Sequence, residues 1–489
     1  MAGTKLKHRV EDRSGKWLIA RNGSYLLAAN TVARGLRIVY LAALARVLGP
    51  ELFGVLSLAY FWVLVFLPLA AFGTNRLLAH QIGAEPEKAA THLSDLLGLR
   101  IIGIVLSLLI SISLSLLWSL DPLTLWLVSL FNLNMIWRSL ATWITHSLVA
   151  THRGEWVFRL ELVFRSLEVI LGLCVLALGG GIVAIALVHL CSWGLQALAG
   201  WVLLQRLHGT IRPRWKTARF ALLARAGFAF MLIGFSTSVL EQGGILSLRA
   251  QGIDDLQIGQ VAILLQILLV FLMAPKAFAV AALPVFSAQA RQSDKEQSTP
   301  ALLRGVLVSG AAIALSGAAL GPILLPLVLG ESYRQAIEQL GSALWLLLPI
   351  SAATVLNQLT SAHGQVKVAA ANTVLGATLA MLFLWLPTGL DPIENLLTGM
   401  AAGACLWALL DLLHATRAGW IDPAQTLMRP AVSICAAVGV FQLAGQAYPW
   451  LALLMALACL PAGLAPIVRW RAWFQTSGRR FRKRFKSST

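Results

Sequence analysis

The chain has 489 residues, of which 58% are hydrophobic and only 12% are charged, and its formal net charge is +18 at pH 7. A soluble enzyme or receptor of this length needs a mostly polar, wetted surface, so this composition excludes those classes and is typical of a helical protein in a bilayer. The positively charged residues lie between apolar blocks. This distribution indicates how the chain is oriented in the membrane and argues against a nucleic-acid partner.

Apolar blocks of about 20 residues recur along the chain, the length that an α-helix needs to cross a hydrocarbon core about 30 Å thick. The polar, basic start lacks the pattern of a cleavable signal peptide, so we expect the first block to be a true span. Most connections are short, and none could hold a folded domain with its own active site. We therefore expect no enzymatic activity. About fourteen spans are predicted, at residues 24–48, 53–74, 96–118, 123–150, 157–179, 181–205, 220–250, 256–283, 302–329, 337–362, 366–388, 393–416, 430–447 and 449–468.

The Lys and Arg residues in the connecting segments predict how these spans are oriented. With a cytoplasmic N-terminus, the cytoplasmic segments hold 29 Lys and Arg, whereas the opposite segments hold three, Arg46, Arg249 and Arg334. The positive-inside rule therefore predicts that both termini are cytoplasmic and that the number of spans is even. The same basic segments predict contact with anionic membrane lipids.

A short motif occurs twice, each time at the end of the first helix of a six-helix block. Both copies have Arg-x-x-Gly, then an acidic turn, then a glycine where the next helix starts. Glycine ends a helix in a backbone conformation that other residues resist, and arginine near a helix C-terminus offsets the helix dipole. The copies predict an internal duplication into parallel repeats. Their residues are Arg46, Gly49 and Gly54, and Arg249, Gly252 and Gly259.

The duplication predicts the domain organisation. Spans one to six form an N-terminal lobe over residues 1–206, a basic cytoplasmic loop follows at 207–219, and spans seven to twelve form a C-terminal lobe at 220–416. Residues 417–489 add two helices and a basic tail. The predicted fold class is thus an all-α polytopic membrane protein with two six-helix lobes around a central cavity, followed by two extra C-terminal helices.

Several stretches resemble polysaccharide flippases of the O-antigen type, members of the superfamily of multidrug, oligosaccharidyl-lipid and polysaccharide exporters. The segment ARVLGPELFGVLSL at 45–58 resembles the first loop of that family, and GESYRQA at 330–336 resembles its loop after span nine. Gly259 to Ala262 and Pro284 are similar as well. The resemblance implies a bacterial inner-membrane transporter with no cofactor, whose partners are a polyprenyl-linked glycan and a polysaccharide polymerase with its chain-length machinery.

Charged side chains in the middle of spans are the candidate site residues, because each costs about 2.5–3.5 kcal/mol at the bilayer centre on insertion scales. Arg34 and Arg37 lie on one face of span one, and Arg138 shares a polar stripe with Asn134 in span four. An ion pair between helices is the alternative reading for Arg34 and Arg37, and hydrogen bonding between helices is the alternative for Arg138 and Asn134. The remaining candidates are Arg165, Lys276 and Glu241, and no metal site is indicated by the residue spacing.

Two of these candidates have a plain structural alternative. Arg165 stands between Glu161 and Glu168 on one helix and can be neutralised by them, and Lys276 can extend toward the cytoplasmic interface. Guanidinium groups match phosphate oxygens, so the cationic excess predicts an anionic passenger, a polyprenyl-pyrophosphate oligosaccharide flipped by alternating access. Glu241 is the candidate for coupling to H⁺ or Na⁺. A peptidoglycan-precursor flippase and a cation-coupled multidrug antiporter remain alternatives.

Overall fold

The computed structural model describes residues 2–118, 120–215, 220–292, 298–445 and 449–461, with some side chains inside these ranges excepted. Every regular element in this described part is helical, which confirms the all-α fold class. The chain forms two compact units, residues 1–262 and 263–489.

Within the described residues, the first unit contains eight α-helices and the start of a ninth. In chain order these are α1 (Ala2–Ala71), α2 (Thr74–Ala84), α3 (Ala89–Leu117), α4 (Pro122–Ala150), α5 (Gly154–Ala177), α6 (Ile182–His208), α7 (Phe220–Ser238), α8 (Gly244–Ala250) and α9 (Asp255–Gln292). A π-helical segment, Val239–Gly243, joins α7 to α8. Gly49 has the non-helical angles φ 70° and ψ 171°, so α1 consists of two helices that meet at a kink, at the position between the first two predicted spans.

The two copies of the arginine–glycine motif have the same backbone conformation and contact each other. Gly49 and Gly252 both have positive φ, 70° and 83°, which favours glycine. A methyl group added to Gly54 would overlap the carbonyl oxygen of Asp255, and one added to Gly259 would overlap the carbonyl oxygen of Pro50. Pro50 and Asp255 each precede their glycine by four residues, so α1 and α9 cross in a reciprocal contact that only glycine permits.

Arg249 links three segments near this glycine crossing. Its guanidinium forms ion pairs with Asp121, at 3.0 Å, and with Asp255, at 2.9 Å. Asp121 also caps α4 by accepting a hydrogen bond from the backbone N–H of Thr124. Partial burial raises the pKa of Asp121, but the hydrogen bonds from Thr124 and the Arg249 charge outweigh that effect and leave this pKa below its usual value.

A second arginine, Arg100 of α3, is completely buried in the first unit. Its guanidinium donates to the carbonyl oxygen of Ala71 and the side chains of Thr74 and Asn75, where the chain turns between α1 and α2. It also donates to the carbonyl oxygen of Ser139 and the hydroxyl of Thr142 in α4. Arg100 thus ties α3 to the α1–α2 turn and to α4 through five acceptors.

The second unit contains the rest of α9 and seven further helices: α10 (Ser298–Leu329), α11 (Arg334–Trp345), α12 (Leu347–Ala362), α13 (Val366–Leu384), α14 (Pro392–Arg417), α15 (Pro423–Gly445) and α16 (Pro449–Cys459). Its interior holds one notable polar group, the fully buried Asp411 of α14. The Asp411 carboxylate accepts hydrogen bonds from the side-chain amides of Asn372, at 2.7 Å, and Asn357, at 3.5 Å. Neutral donors therefore satisfy this carboxylate.

Ten helices in the described residues are long and apolar enough to cross a membrane. Neither α4 nor α5 belongs to these ten, and both contain deep polar and charged side chains such as Asn134, Arg138, Glu161 and Arg165. The predicted count of fourteen spans, the domain boundaries and the cytoplasmic location of both termini remain predictions.

Candidate functional site

The helices α1, α4, α5 and α6 pack against one another in the first unit. They bring together three of the arginines that the sequence singled out, Arg37 from α1, Arg138 from α4 and Arg165 from α5. Arg37 lies 101 positions before Arg138 and 128 before Arg165, so the tertiary fold brings it to the other two. We call this group, with the side chains between its members, the arginine cluster.

Aromatic rings separate the arginines of the cluster. Tyr60 lies between two of them, with its ring centroid 4.9 Å from the Arg37 Cζ and 5.3 Å from the Arg138 Cζ. Trp193 lies between the next two, 5.0 Å from the Arg138 Cζ and 3.9 Å from the Arg165 Cζ. Each ring face attracts a cation, worth about 2 kcal/mol when desolvated, so the rings hold three like charges close together.

Arg138 is the cluster's central cation, and most of its hydrogen-bonding capacity is unused. Its Nε and Nη1 atoms are buried and have no hydrogen-bond partner among the residues that the structure describes. Its Nη2 donates to the hydroxyl oxygen of Tyr60 over a long 3.4 Å. Because a guanidinium carries five N–H donors in a planar fork, Arg138 has three of them available for an acceptor that fits between these helices.

Arg165, in contrast, is held by several side chains of the protein. It forms an ion pair with Glu168, lies 3.8 Å from the Glu161 carboxylate, and donates to the Gln196 amide oxygen at 2.6 Å. Gln196 in turn donates to Glu161 at 2.9 Å. The ion-pair alternative for Arg165 therefore describes its surroundings best.

A histidine completes the cluster. His189 of α6 has its Nδ1 2.5 Å from the Glu168 Oε1, whereas its Nε2 is buried without a hydrogen-bond partner. Its ring contacts those of Tyr60, with centroids 5.7 Å apart, and Phe131, at 5.4 Å. Asn134, the predicted polar residue of α4, donates from Nδ2 to the carbonyl oxygen of His189 at 3.2 Å and so fixes the backbone of α6 here.

The other predicted site residues lie elsewhere or outside the described side chains. Arg34 belongs to α1, but its side chain is outside the described part of the chain. Lys276 belongs to the second unit, where it is half-buried and engaged by neighbouring groups. Glu241 lies in the π-helical segment, is 2% exposed and is likewise engaged.

Sequence analysis missed Tyr60, Trp193 and His189. Aromatic residues are common in apolar spans, so nothing in the sequence marks Tyr60 or Trp193 as partners of an arginine. His189 did carry a signal, because a lone histidine in the middle of the apolar segment IVAIALVHLCSWGLQALAG is as unusual there as a charge.

When the sequence is compared with protein-family profiles, it matches one family. The sequence profile described as polysaccharide biosynthesis protein matches residues 19–290, which is more than half of the chain. No curated protein sequence matches at a significant level.

Solved structures with a similar fold include membrane transporters and a lipid flippase. The lipid II flippase MurJ in an inward closed conformation has a TM-score of 0.64 and 11% identity, covering 91% of this chain and 99% of that one. An outward-facing multidrug resistance MATE family transporter of the MOP superfamily has a TM-score of 0.60 and 15% identity, over 82% and 95% of the two chains. A MOP superfamily transporter from Pyrococcus furiosus, described with a binding pocket of reverse polarity, has a TM-score of 0.55 and 15% identity, again over 82% and 95%. At these identities the similarity shows the fold.

Proposed function

Because the chain belongs to the polysaccharide biosynthesis protein family and has the fold of MOP superfamily transporters, we propose that it flips an anionic lipid-linked oligosaccharide. The proposed cargo is a polyprenyl-pyrophosphate glycan, moved from the cytoplasmic to the periplasmic leaflet of a bacterial inner membrane. A polymerase and its chain-length machinery would then use the exported glycan. Both termini would be cytoplasmic.

The observation that carries this proposal is the unused donor capacity of Arg138 beside Arg37. A buried guanidinium with unpaired donors is costly in a membrane protein, and its cost is offset when an anion occupies the site. The planar donor fork matches two oxygens of one phosphate, and a pyrophosphate offers a second phosphate to a second arginine. Arg37, which the Tyr60 ring separates from Arg138, is the nearest described arginine for that role.

The isoprenoid chain of such a cargo needs no binding site of its own, because it can stay in the hydrocarbon while the headgroup crosses. The protein then has to shield only the charged and hydroxylated part from lipid. Alternating access of two repeats around a fixed headgroup site would achieve this. Glu241, buried in the π-helical segment, remains our candidate for coupling to H⁺ or Na⁺.

Replacing both Arg37 and Arg138 by alanine is expected to abolish surface polysaccharide in the cell. Hydrogen bonds to charged groups contribute about 1.5–3 kcal/mol each, so losing both arginines is expected to reduce transport at least a hundredfold. The measurement is surface polysaccharide in a deletion strain that expresses each variant at matched protein levels. Exposed Arg225 of α7 supplies the control, because Arg225→Ala removes a cation away from the cluster. Normal polysaccharide in the double variant would exclude the arginine cluster as the headgroup site.

A peptidoglycan-precursor flippase is the second candidate, because the lipid II flippase structure aligns with a larger share of this chain than the MATE transporter does, 91% against 82%. The phenotype of the same deletion strain distinguishes these two candidate functions. Loss of surface polysaccharide with normal growth favours the first candidate, whereas cell lysis on depletion favours the second. The multidrug antiporter alternative is weaker, because the three guanidinium groups of the cluster outnumber the two carboxylates, Glu161 and Glu168, that could attract a cationic drug.

A further inference from the structure

We infer that His189 is a further ligand of the anionic headgroup, and that the headgroup binds together with one proton, which His189 takes up. The inference rests on the proposed function, since it concerns the same site and the same cargo. It adds a residue that forms part of the binding site and a stoichiometry that can be measured.

The position of the His189 ring is the first observation. Nδ1 faces Glu168 at 2.5 Å, so this nitrogen carries the hydrogen and donates it to the carboxylate. Nε2 then bears a lone pair, and it is buried without a donor among the described residues. Aromatic rings of Tyr60, Phe131 and Trp193 surround the imidazole. A buried nitrogen left in this state calls for a partner that the described part of the chain does not supply.

The charge balance of the cluster is the second observation. The described ionisable groups around His189 are Arg37 from α1, Arg138 from α4, and Glu161, Arg165 and Glu168 from α5. The phenols of Tyr40 and Tyr60 in α1 also face this region. Three guanidinium groups and two carboxylates leave one positive charge. A pyrophosphate diester carries two negative charges, so the described groups leave the occupied site one positive charge short.

A proton on His189 supplies that missing charge. In the empty site we take His189 to be neutral, with its hydrogen on Nδ1 facing Glu168 and its bare Nε2 among aromatic rings. When the pyrophosphate enters, its negative charge favours a protonated imidazole. A proton from solvent then adds to Nε2, Nδ1 keeps its hydrogen bond to Glu168, and the new Nε2–H donates to a phosphate oxygen. Binding and protonation favour each other, and the coupling is reciprocal.

Calorimetric titration of the purified full-length protein with an undecaprenyl-pyrophosphate-linked sugar, whose pyrophosphate is a diester and does not titrate near neutral pH, tests the inference. Repeating the titration in HEPES and in Tris, which release different heats on ionisation, counts the protons taken up per bound ligand. We expect about one proton for the wild type near neutral pH. We also expect the affinity to fall up to about tenfold for each pH unit of increase while His189 titrates, because one proton is linked to binding.

Variants test whether His189 is the residue that takes up the proton. We expect His189→Gln to bind about tenfold more weakly and to take up no proton, because the amide cannot titrate. His80→Gln, at an exposed histidine of α2, is expected to keep both the affinity and the proton.

Three results would overturn the inference: no proton taken up by the wild type, unchanged uptake in His189→Gln, or loss of uptake in His80→Gln. The wild-type proton count tests it even where a variant does not fold. A wild type that does not bind the probe at all would contradict the proposed function itself. Binding without proton uptake would contradict only the role of His189.

Discussion

Adding one methyl group at Gly259 is expected to be among the most damaging small changes in this protein. The new carbon would overlap the carbonyl oxygen of Pro50, a backbone atom that cannot move without shifting α1. Overpacking a tight contact usually costs about 1–3 kcal/mol, and we expect Gly259→Ala to lie at the upper end because no flexible side chain can yield. The measurement is thermal unfolding of the purified variant in detergent.

The reciprocal contact of Gly54 and Gly259 also predicts how the two substitutions act together on stability. Gly54→Ala should be similarly destabilising, because its methyl group would overlap the carbonyl oxygen of Asp255. Both substitutions are relieved by the same separation of α1 and α9, so the double variant should lose clearly less than the sum of the single losses. Gly439→Ala in α15 is the control, since a methyl group there meets nothing within 4 Å. Additive losses, or a stable Gly259→Ala, would show that the crossing does not exist as described.

Replacing Arg100 by methionine is expected to have the second large effect. The variant keeps a long apolar side chain but leaves five acceptors on α1, α2 and α4 without their donor. At the average of about 0.6 kcal/mol for a hydrogen bond between membrane helices, five contacts correspond to about 3 kcal/mol. We therefore expect a strongly reduced yield of folded protein and a lower midpoint of thermal unfolding.

Two further variants help to interpret the result for Arg100→Met. Arg100→Lys retains the charge and up to three donors, so it should recover part of the lost stability. Arg225→Met removes an exposed arginine of α7 and should unfold like the wild type. Equal stability of Arg100→Met and the wild type would contradict the view that Arg100 joins these helices.

The sequence predicted the helical membrane fold well, because apolar blocks and loop charges are local properties. It predicted less about where helices break. Predicted span two, 53–74, ends at Ala71 because Phe72 and Gly73 adopt positive φ, and predicted span 337–362 is divided between α11 and α12 at Leu346. The repeated motif was visible in the sequence, but the contact between its two copies joins residues about 205 positions apart and depends on the tertiary fold.

The candidate site shows the same limit. Arg37, Arg138 and Arg165 were found because a charge in an apolar span is rare. Whether each is available for a ligand depends on side chains from other elements. The sequence could not show that two carboxylates and Gln196 engage Arg165, whereas Nε and Nη1 of Arg138 have no hydrogen-bond partner among the described residues. The sequence does not mark Arg100 as unusual, because it lies near the predicted cytoplasmic end of span three, where an arginine usually reaches the interface. Its burial comes from α1, α2 and α4.

Reconstituted flipping tests the central claim most directly. The protein is placed in vesicles with a fluorescent undecaprenyl-pyrophosphate oligosaccharide, and dithionite bleaches the label only in the outer leaflet. We predict that the wild type makes nearly all of the label accessible, whereas the variant with Arg37→Ala and Arg138→Ala leaves about half of it protected, as in protein-free vesicles. Equal flipping by the wild type and this variant, or efflux of a cationic dye in place of lipid flipping, would contradict the account.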